Sequence, residues 1–430
     1  MKVFHGWKMV AAGAGLQFLQ AGLLHQAFGA YFAALTVEKG WSRTSISAAA
    51  ALQSAEAALI GPILGWVIDR YGARNLIRAG VVVMGLGFST LGWIETLFGF
   101  YGAVLMIALG SSLCGFFPLN AAIIHWFERR RARALSFVGL GLALGGVITP
   151  AVAATMDAIG WRQTAMASGI VIIIVGWPLA GIFRRRPEDH GDHIDGIAPS
   201  QALTDAAGLP LPAPVIDDLS AREAIRTGAF WLVSIGHAIA LLVVTAVNVH
   251  AINHMRESLG YSVGQAAWFI TLMTILQVAG VLTGSVIGDR YDKRWIAAIC
   301  MLSHAFGLAM LAFATGPAML VAFAVFHGVA WGIRGPLMQA IRADFFGRRA
   351  IGKILGLSTL ITAIGQILGP MVAGAMADAT GDYRFGLTLL AAVAVGGSLM
   401  FLLARSPRPQ PPLAGSRLPK SPAVEPGAGD

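Results

Sequence analysis

Gly65-Trp66-Val67-Ile68-Asp69-Arg70-Tyr71-Gly72-Ala73-Arg74 returns 220 residues later as Ser285-Val286-Ile287-Gly288-Asp289-Arg290-Tyr291-Asp292-Lys293-Arg294. The echo continues down the chain. Gly145 and Pro150 recur as Gly365 and Pro370 at the same offset, and the stretch from Asp157 to Arg162 recurs from Asp378 to Arg384, one residue later. A nearly constant offset across three landmarks describes two similar halves laid end to end.

What lies between the landmarks is apolar. Hydrophobic residues make up 56% of the 430 and charged residues 12%, with a mean hydropathy of +0.69. Soluble domains carry about 25% charged residues, so this composition belongs to an all-α integral membrane protein. Twelve runs reach the ~20 residues that a bilayer crossing needs. They fall near 9–35, 45–68, 76–94, 99–126, 133–156, 162–183, 229–253, 263–288, 295–314, 317–341, 351–377 and 385–404. The first run is too long for a cleavable leader and no small-residue cleavage site ends it. The 53 glycines suit helices that approach closely in lipid. Cys114 and Cys300 sit in separate apolar runs and read as inert buried thiols, with no metal-ligand or disulfide spacing.

Lys and Arg set the orientation. The N-terminus, the loops after even-numbered spans and the C-terminal tail hold 25 of the 31, whereas the opposite side holds five. By the positive-inside rule both termini face the cytoplasm of a multi-pass protein in the cell membrane. The net charge of +9 is therefore a topology signal, not a nucleic-acid footprint. Residues 1–186 then form a first six-helix bundle and 220–405 a second, joined by a polar, Pro-rich linker over 187–219 and followed by a disordered cytoplasmic tail over 406–430. Ser220-Ala221-Arg222-Glu223 fits a capping box that opens a short helix before Phe230-Trp231. Two bundles in parallel repeat place a substrate site near the midplane between them.

The costly residues inside the spans narrow the chemistry. Arg334 reads as the one Arg or Lys set well inside an apolar run, where lipid exposure of a guanidinium costs at least ~3 kcal/mol. At helical spacing His327, Trp331 and Arg334 share a stripe, which offers a small organic anion a cation, an imidazole and an indole. Glu56 lies 13 residues before Asp69, ~20 Å along a helix and so near mid-membrane. Low dielectric disfavours a charged carboxylate there, which makes Glu56 a candidate proton carrier or else a hydrogen-bonded structural group. Pro118 and Pro336 are expected to loosen the fourth and tenth spans locally. No serine-nucleophile elbow, His-Glu-x-x-His or phosphate-binding loop occurs, so an enzyme is not expected, and neither is a cofactor or a metal.

The Gly-x-x-x-Asp-Arg-x-Gly-x-Arg pattern at Gly65–Arg74 resembles the hallmark loop of the major facilitator superfamily. The second copy keeps Asp289, Arg290 and Arg294 but has Ser285 and Asp292 where the pattern has glycines. Gly6-Trp7, Trp126-Phe127-x-x-Arg130-Arg131, Arg186-Pro187-Glu188, Arg222-Glu223-Ala224 and Phe346-Gly347-Arg348-Arg349 are similar to the bacterial monocarboxylate-transporter branch, which includes oxalate–formate-type antiporters. The resemblance implies twelve transmembrane helices in two pseudo-symmetric bundles, with spans 1, 4, 7 and 10 lining a central cavity. It implies that Asp69, Arg70, Arg74, Asp289, Arg290 and Arg294 belong to a cytoplasmic charge network that breaks and reforms as the halves rock. It also places Asn120, beside Phe116 and Phe117, and His250, His237 and His25 on cavity-lining spans. Several transporters of that branch carry an arginine eight residues before the second loop aspartate. Here that position is Val281, which leaves Arg334 as the expected counter-charge.

The expectation is a secondary transporter of a small, monocarboxylate-like organic anion. Arg334, with His327, Trp331, Asn120 and His250, would contact substrate, and protons are the expected coupling ion. An exporter of amphipathic or drug-like compounds, or a transporter-derived membrane sensor, are the alternatives. Substrate identity and the direction of transport are not legible from these residues.

Overall fold

In a computed structural model, residues 4–25, 27, 31, 34–35, 38–41, 43–197 and 218–407 are described, and these are helical over most of their length without a strand among them. The first half supplies α1 (His5–Gln20, continued by a π turn over Ala21–His25), α2 (Arg43–Tyr71), α3 (Arg74–Leu91), α4 (Leu97–Ile124), α5 (Arg131–Ile159) and α6 (Trp161–Gly181). The second supplies α7 (Gly228–Glu257), α8 (Val263–Ile287), α9 (Lys293–Ala312), α10 (Pro317–Phe346), α11 (Ile351–Thr380) and α12 (Arg384–Leu403). Nine of the described helices are long and apolar enough to cross a membrane. The architecture is the twelve-helix, two-bundle one that the repeat predicts.

Prolines shape the spans as their chemistry requires. Pro118 has no N–H for the carbonyl of Cys114 and its ring crowds that carbonyl, and α4 breaks between them, at Gly115 (φ −93°, ψ −154°). Ahead of Pro150, α5 passes through a 3₁₀ turn over Gly145–Ile148. In contrast, α10 runs unbroken through Pro336, which leaves the carbonyl of Gly332 without its helical donor at a position that lines the cavity described below.

One apolar core runs from Met9 to Phe183 and takes in Ala340, Ala343, Ile351 and Leu355 of the other half, and a second runs from Ala224 to Ala404 and takes in Ala132. The halves meet chiefly where α2 lies against α11 and α5 against α8 and α10. Small residues make the first contact possible. A Cβ on Gly65 would collide with the carbonyl of Gly352, so the two backbones touch directly.

The arginine-rich end of the molecule is shut by carboxylates that reach across. Asp69, at the end of α2, accepts the backbone N–H groups of Gly352 (2.8 Å) and Lys353 (2.9 Å) in the first turn of α11. Asp289, just past α8, accepts those of Ala132 (2.7 Å) and Arg133 (3.2 Å) in the first turn of α5. Both meet a helix N-terminus, where donors are unpaired and the dipole favours negative charge. Buried Asp344 of α10 joins Arg131 of α5 and Lys293 (2.8 Å), while Arg348 pairs with Glu188 at 2.5 Å.

The linker read over 187–219 is tied down at both of its described ends. The carboxylate of Asp195 accepts the backbone N–H groups of Glu128 (3.2 Å), Arg129 (2.8 Å) and Arg130 (3.3 Å) just before α5. Asp218 does the same for Arg348 and Arg349, both at 3.0 Å, before α11. Ser220 and Glu223 form the capping box read from the sequence. Residues 198–217 of the linker and 408–430 of the tail lie outside the described residues.

Candidate functional site in the inter-bundle cavity

Six helices from both halves wall a cavity of about 430 Å³. Phe116 and Phe117 of α4 and Leu142 of α5 face Leu241 of α7, Val281 of α8 and the α10 segment from Trp331 to Arg342. Glutamines 277, 339 and 366 and the hydroxyls of Ser358, Thr359 and Thr362 complete it. The wall is therefore aromatic and amide-rich, with no Asp or Glu among its described residues.

Arg334 projects into this wall from α10 and is only 1% exposed. Its Nε and Nη1 have no hydrogen-bond partner among the described residues. A buried charge of this kind is costly unless something completes it. Close approach of α8 holds α10 in position, because a Cβ on Gly332 would strike the carbonyl of Gln277.

Arg334, read from the sequence as the one Arg or Lys well inside an apolar run, has a companion. Arg342, one residue past the run that ends near 341, lies on the same helix eight residues on, is 1% exposed and lines the same cavity. Its Nη1 donates to the Met338 carbonyl (2.9 Å), and its Nη2 donates to Ser358 Oγ (2.6 Å) and His237 Nδ1 (3.1 Å). One arginine is thus held by neighbours from α7 and α11, and the other presents open donors. The missed signal was helical spacing: positions 334 and 342 fall within two-ninths of a turn of each other.

The other candidates divide. Trp331 lines the cavity beside Arg334. His327 does not: it is fully buried and its Nδ1 meets Nδ1 of His304 on α9 at 3.1 Å. One stripe of a tilted helix meets different neighbours at different heights, and Gly307 lets α9 close over this one. Asn120 is 1% exposed with both amide atoms unpartnered among the described residues, outside the cavity wall although Phe116 and Phe117 are in it. His250 bonds the Pro370 carbonyl through Nε2 (2.9 Å) and packs at a tilt against Tyr383, also away from the wall. Half-buried Glu56 accepts the Ser112 hydroxyl at 3.0 Å on the α2–α4 side. Val281 is in the wall, so the position that carries an arginine in similar transporters is apolar here.

Where the resemblance implies a cytoplasmic charge network, the two loop acids make backbone contacts across the bundle boundary. Asp69 and Asp289 use backbone N–H donors of the opposite bundle. Burial pushes the Asp289 carboxyl above its ordinary range, while the Ala132 and Arg133 N–H groups and Lys293 pull it back. Arg70 lies over the Trp66 and Tyr71 rings of its own helix, and Arg74 and Arg290 are exposed. Arg294 binds Asp292 (2.6 Å) and the Ala404 carbonyl (3.2 Å), within its own bundle. Asp292, which replaces a glycine of the pattern, caps α9.

Comparison with known proteins places this geometry. The family model described as Major Facilitator Superfamily matches residues 13–250 and 233–427. The chain is 25% identical to an MFS transporter, asaE, of Aspergillus flavus over 85% of its length and 79% of the relative's. It is likewise 25% identical to monocarboxylate transporter 11 of Homo sapiens, over 92% and 82%. Among solved structures, the human organic anion transporter MFSD10 superposes with a TM-score of 0.69 at 13% identity, covering 92% of this chain and 99% of that one. The proton:xylose symporter XylE does so with a TM-score of 0.68 at 14% identity, covering 93% and 95%. At these identities the structures establish the fold.

Proposed function

The chain belongs to the major facilitator superfamily, and on that premise we propose that this multi-pass transporter carries a small organic anion of the monocarboxylate kind by alternating access. The observation that carries the reading is the pair Arg334 and Arg342: two buried guanidiniums on one helix in a cavity wall with no carboxylate among its described residues. Arg334, with two open donors, would take the substrate carboxylate in the planar two-pronged geometry that guanidinium offers. Phe116, Phe117 and Trp331 would cover its apolar part. The similarity to monocarboxylate transporters supports the same class.

The arginine-rich end faces the cytoplasm in this reading, following the charge asymmetry. The arrangement described is then the outward-facing one, with the inner gate shut by Asp69 and Asp289. Protons supply the drive, and Glu56 in the first bundle is a candidate carrier. Uptake of labelled lactate and benzoate into proteoliposomes tests the reading. Wild-type protein should carry at least one of them, and Arg334→Ala should not. Equal rates in wild type and Arg334→Ala would overturn the assignment.

A further inference from the structure

Beside the cavity, within the second bundle, His304 of α9 and His327 of α10 form a closed pair. Both side chains are fully buried, their ring centroids lie 4.5 Å apart, and their Nδ1 atoms approach to 3.1 Å. Neither Nε2 has a partner among the described residues. Phe323 packs against His327, and Gly307 removes the side chain that would hold the helices apart.

This contact has a definite proton count. In the neutral pair one ring donates from Nδ1 and the other accepts there. The accepting ring must then carry its own proton on Nε2, where it meets no acceptor. The donating ring is left with a bare Nε2 lone pair that meets no donor. One further proton on that lone pair turns the contact into an N–H⁺···N bond, the stronger charge-assisted kind. The pair is thus built to hold two protons or three.

The geometry points to His304 and His327 as the proton-binding site that couples to anion binding at Arg334. This rests on the reading of the cavity as a carboxylate site. Arg334 lies seven residues from His327 on the same helix face, about 10 Å along its axis, within reach of its charge in a low-dielectric interior. Of the other titratable groups, Cys300 lies one turn from His304 on α9. No carboxylate pairs with the dyad among the described residues. With the cavity empty, the Arg334 charge opposes a third proton on the pair. A carboxylate bound at Arg334 cancels that charge and admits the proton. Anion and proton therefore each raise the other's affinity by the same factor. Both groups ride on one rigid bundle, so no proton has to cross between the halves.

The test is calorimetric titration of the full-length protein in nanodiscs with benzoate and lactate, in buffers of different ionisation enthalpy. Wild-type protein should take up close to one proton per anion, with Kd weakening up to tenfold per pH unit where the pair titrates. His304→Phe and His327→Asn should bind the anion with no proton uptake and a flat pH profile, whereas Gly102→Ala, at a helical position with open space around its Cβ, should keep both. Anion binding with unchanged proton uptake in the histidine variants overturns the inference, as does binding to wild type without uptake. Failure of wild type to bind either anion overturns the carboxylate reading itself. If neither histidine variant folds, ¹⁵N-histidine spectra of the wild type decide. A ring that gains an Nε2 proton on adding benzoate supports the inference, and unchanged ring signals overturn it.

Discussion

The carboxylate of Asp289 crosses the boundary between the bundles to accept the backbone N–H of Ala132 at 2.7 Å. Its counterpart Asp69 makes the related contact with Gly352 at 2.8 Å in the other direction. The repeated acid of the two loops is therefore a reciprocal helix cap, each bundle closing the open end of a helix in the other. Asp289→Ala should leave the Ala132 and Arg133 N–H groups without an acceptor and weaken the shut end by about 1–3 kcal/mol. Labelling of single cysteines placed along the facing turns of α5 and α8 should rise accordingly, and unchanged labelling would refute the cap.

Closing that end also needs bare backbone. Gly65→Val puts a side chain where the Gly352 carbonyl already stands. The variant should fold but hold the arginine-rich end open, losing transport while raising cysteine labelling there. Gly102→Ala, with nothing near its Cβ and ordinary helical backbone, is the control for a neutral glycine change.

Replacing Arg334 separates charge from shape. Arg334→Lys keeps a cation but loses the two-pronged donor set, so anion affinity should fall about tenfold or more, in line with the ~1.5–3 kcal/mol of hydrogen bonds to charged groups. Arg334→Ala should abolish measurable binding. Binding isotherms with benzoate would read both.

Ser358 and His237 tether Arg342 at 2.6 and 3.1 Å. Ser358→Ala removes a partner from a buried cation and should cost about 1–3 kcal/mol of stability. A thermal melt that moves by less than the scatter of replicate wild-type melts would show that the tether contributes nothing.

Asp195 gathers three N–H groups ahead of α5 from a left-handed backbone position (φ 58°) that aspartate tolerates better than most residues. Asp195→Ala should lower the melting temperature, with the first bundle exchanging its α5 amides sooner.

The long apolar runs, the 220-residue echo and the lopsided distribution of Lys and Arg are one-dimensional properties. A bilayer converts them directly into spans and order, because every spanning backbone must satisfy its own hydrogen bonds as helix. Twelve helices in two bundles could therefore be read before any coordinates, as could Arg334 and Trp331 as cavity candidates on α10. The capping box at Ser220 was also legible, since it depends on neighbours three residues apart.

What neighbours α10 has at each height was decided only by the packed bundle. The same stripe that turns Trp331 and Arg334 to the cavity turns His327 to His304, because α9 closes over it at Gly307. Arg342 passed for a loop charge because its apolar run fades there, yet the helix continues to Phe346 and buries it. Asp195, in a stretch whose composition reads as linker, caps a helix some sixty residues earlier in the chain. Hydropathy and periodicity are local along the chain, whereas a helix's partners depend on tilt and crossing, which arise only when all the helices pack at once.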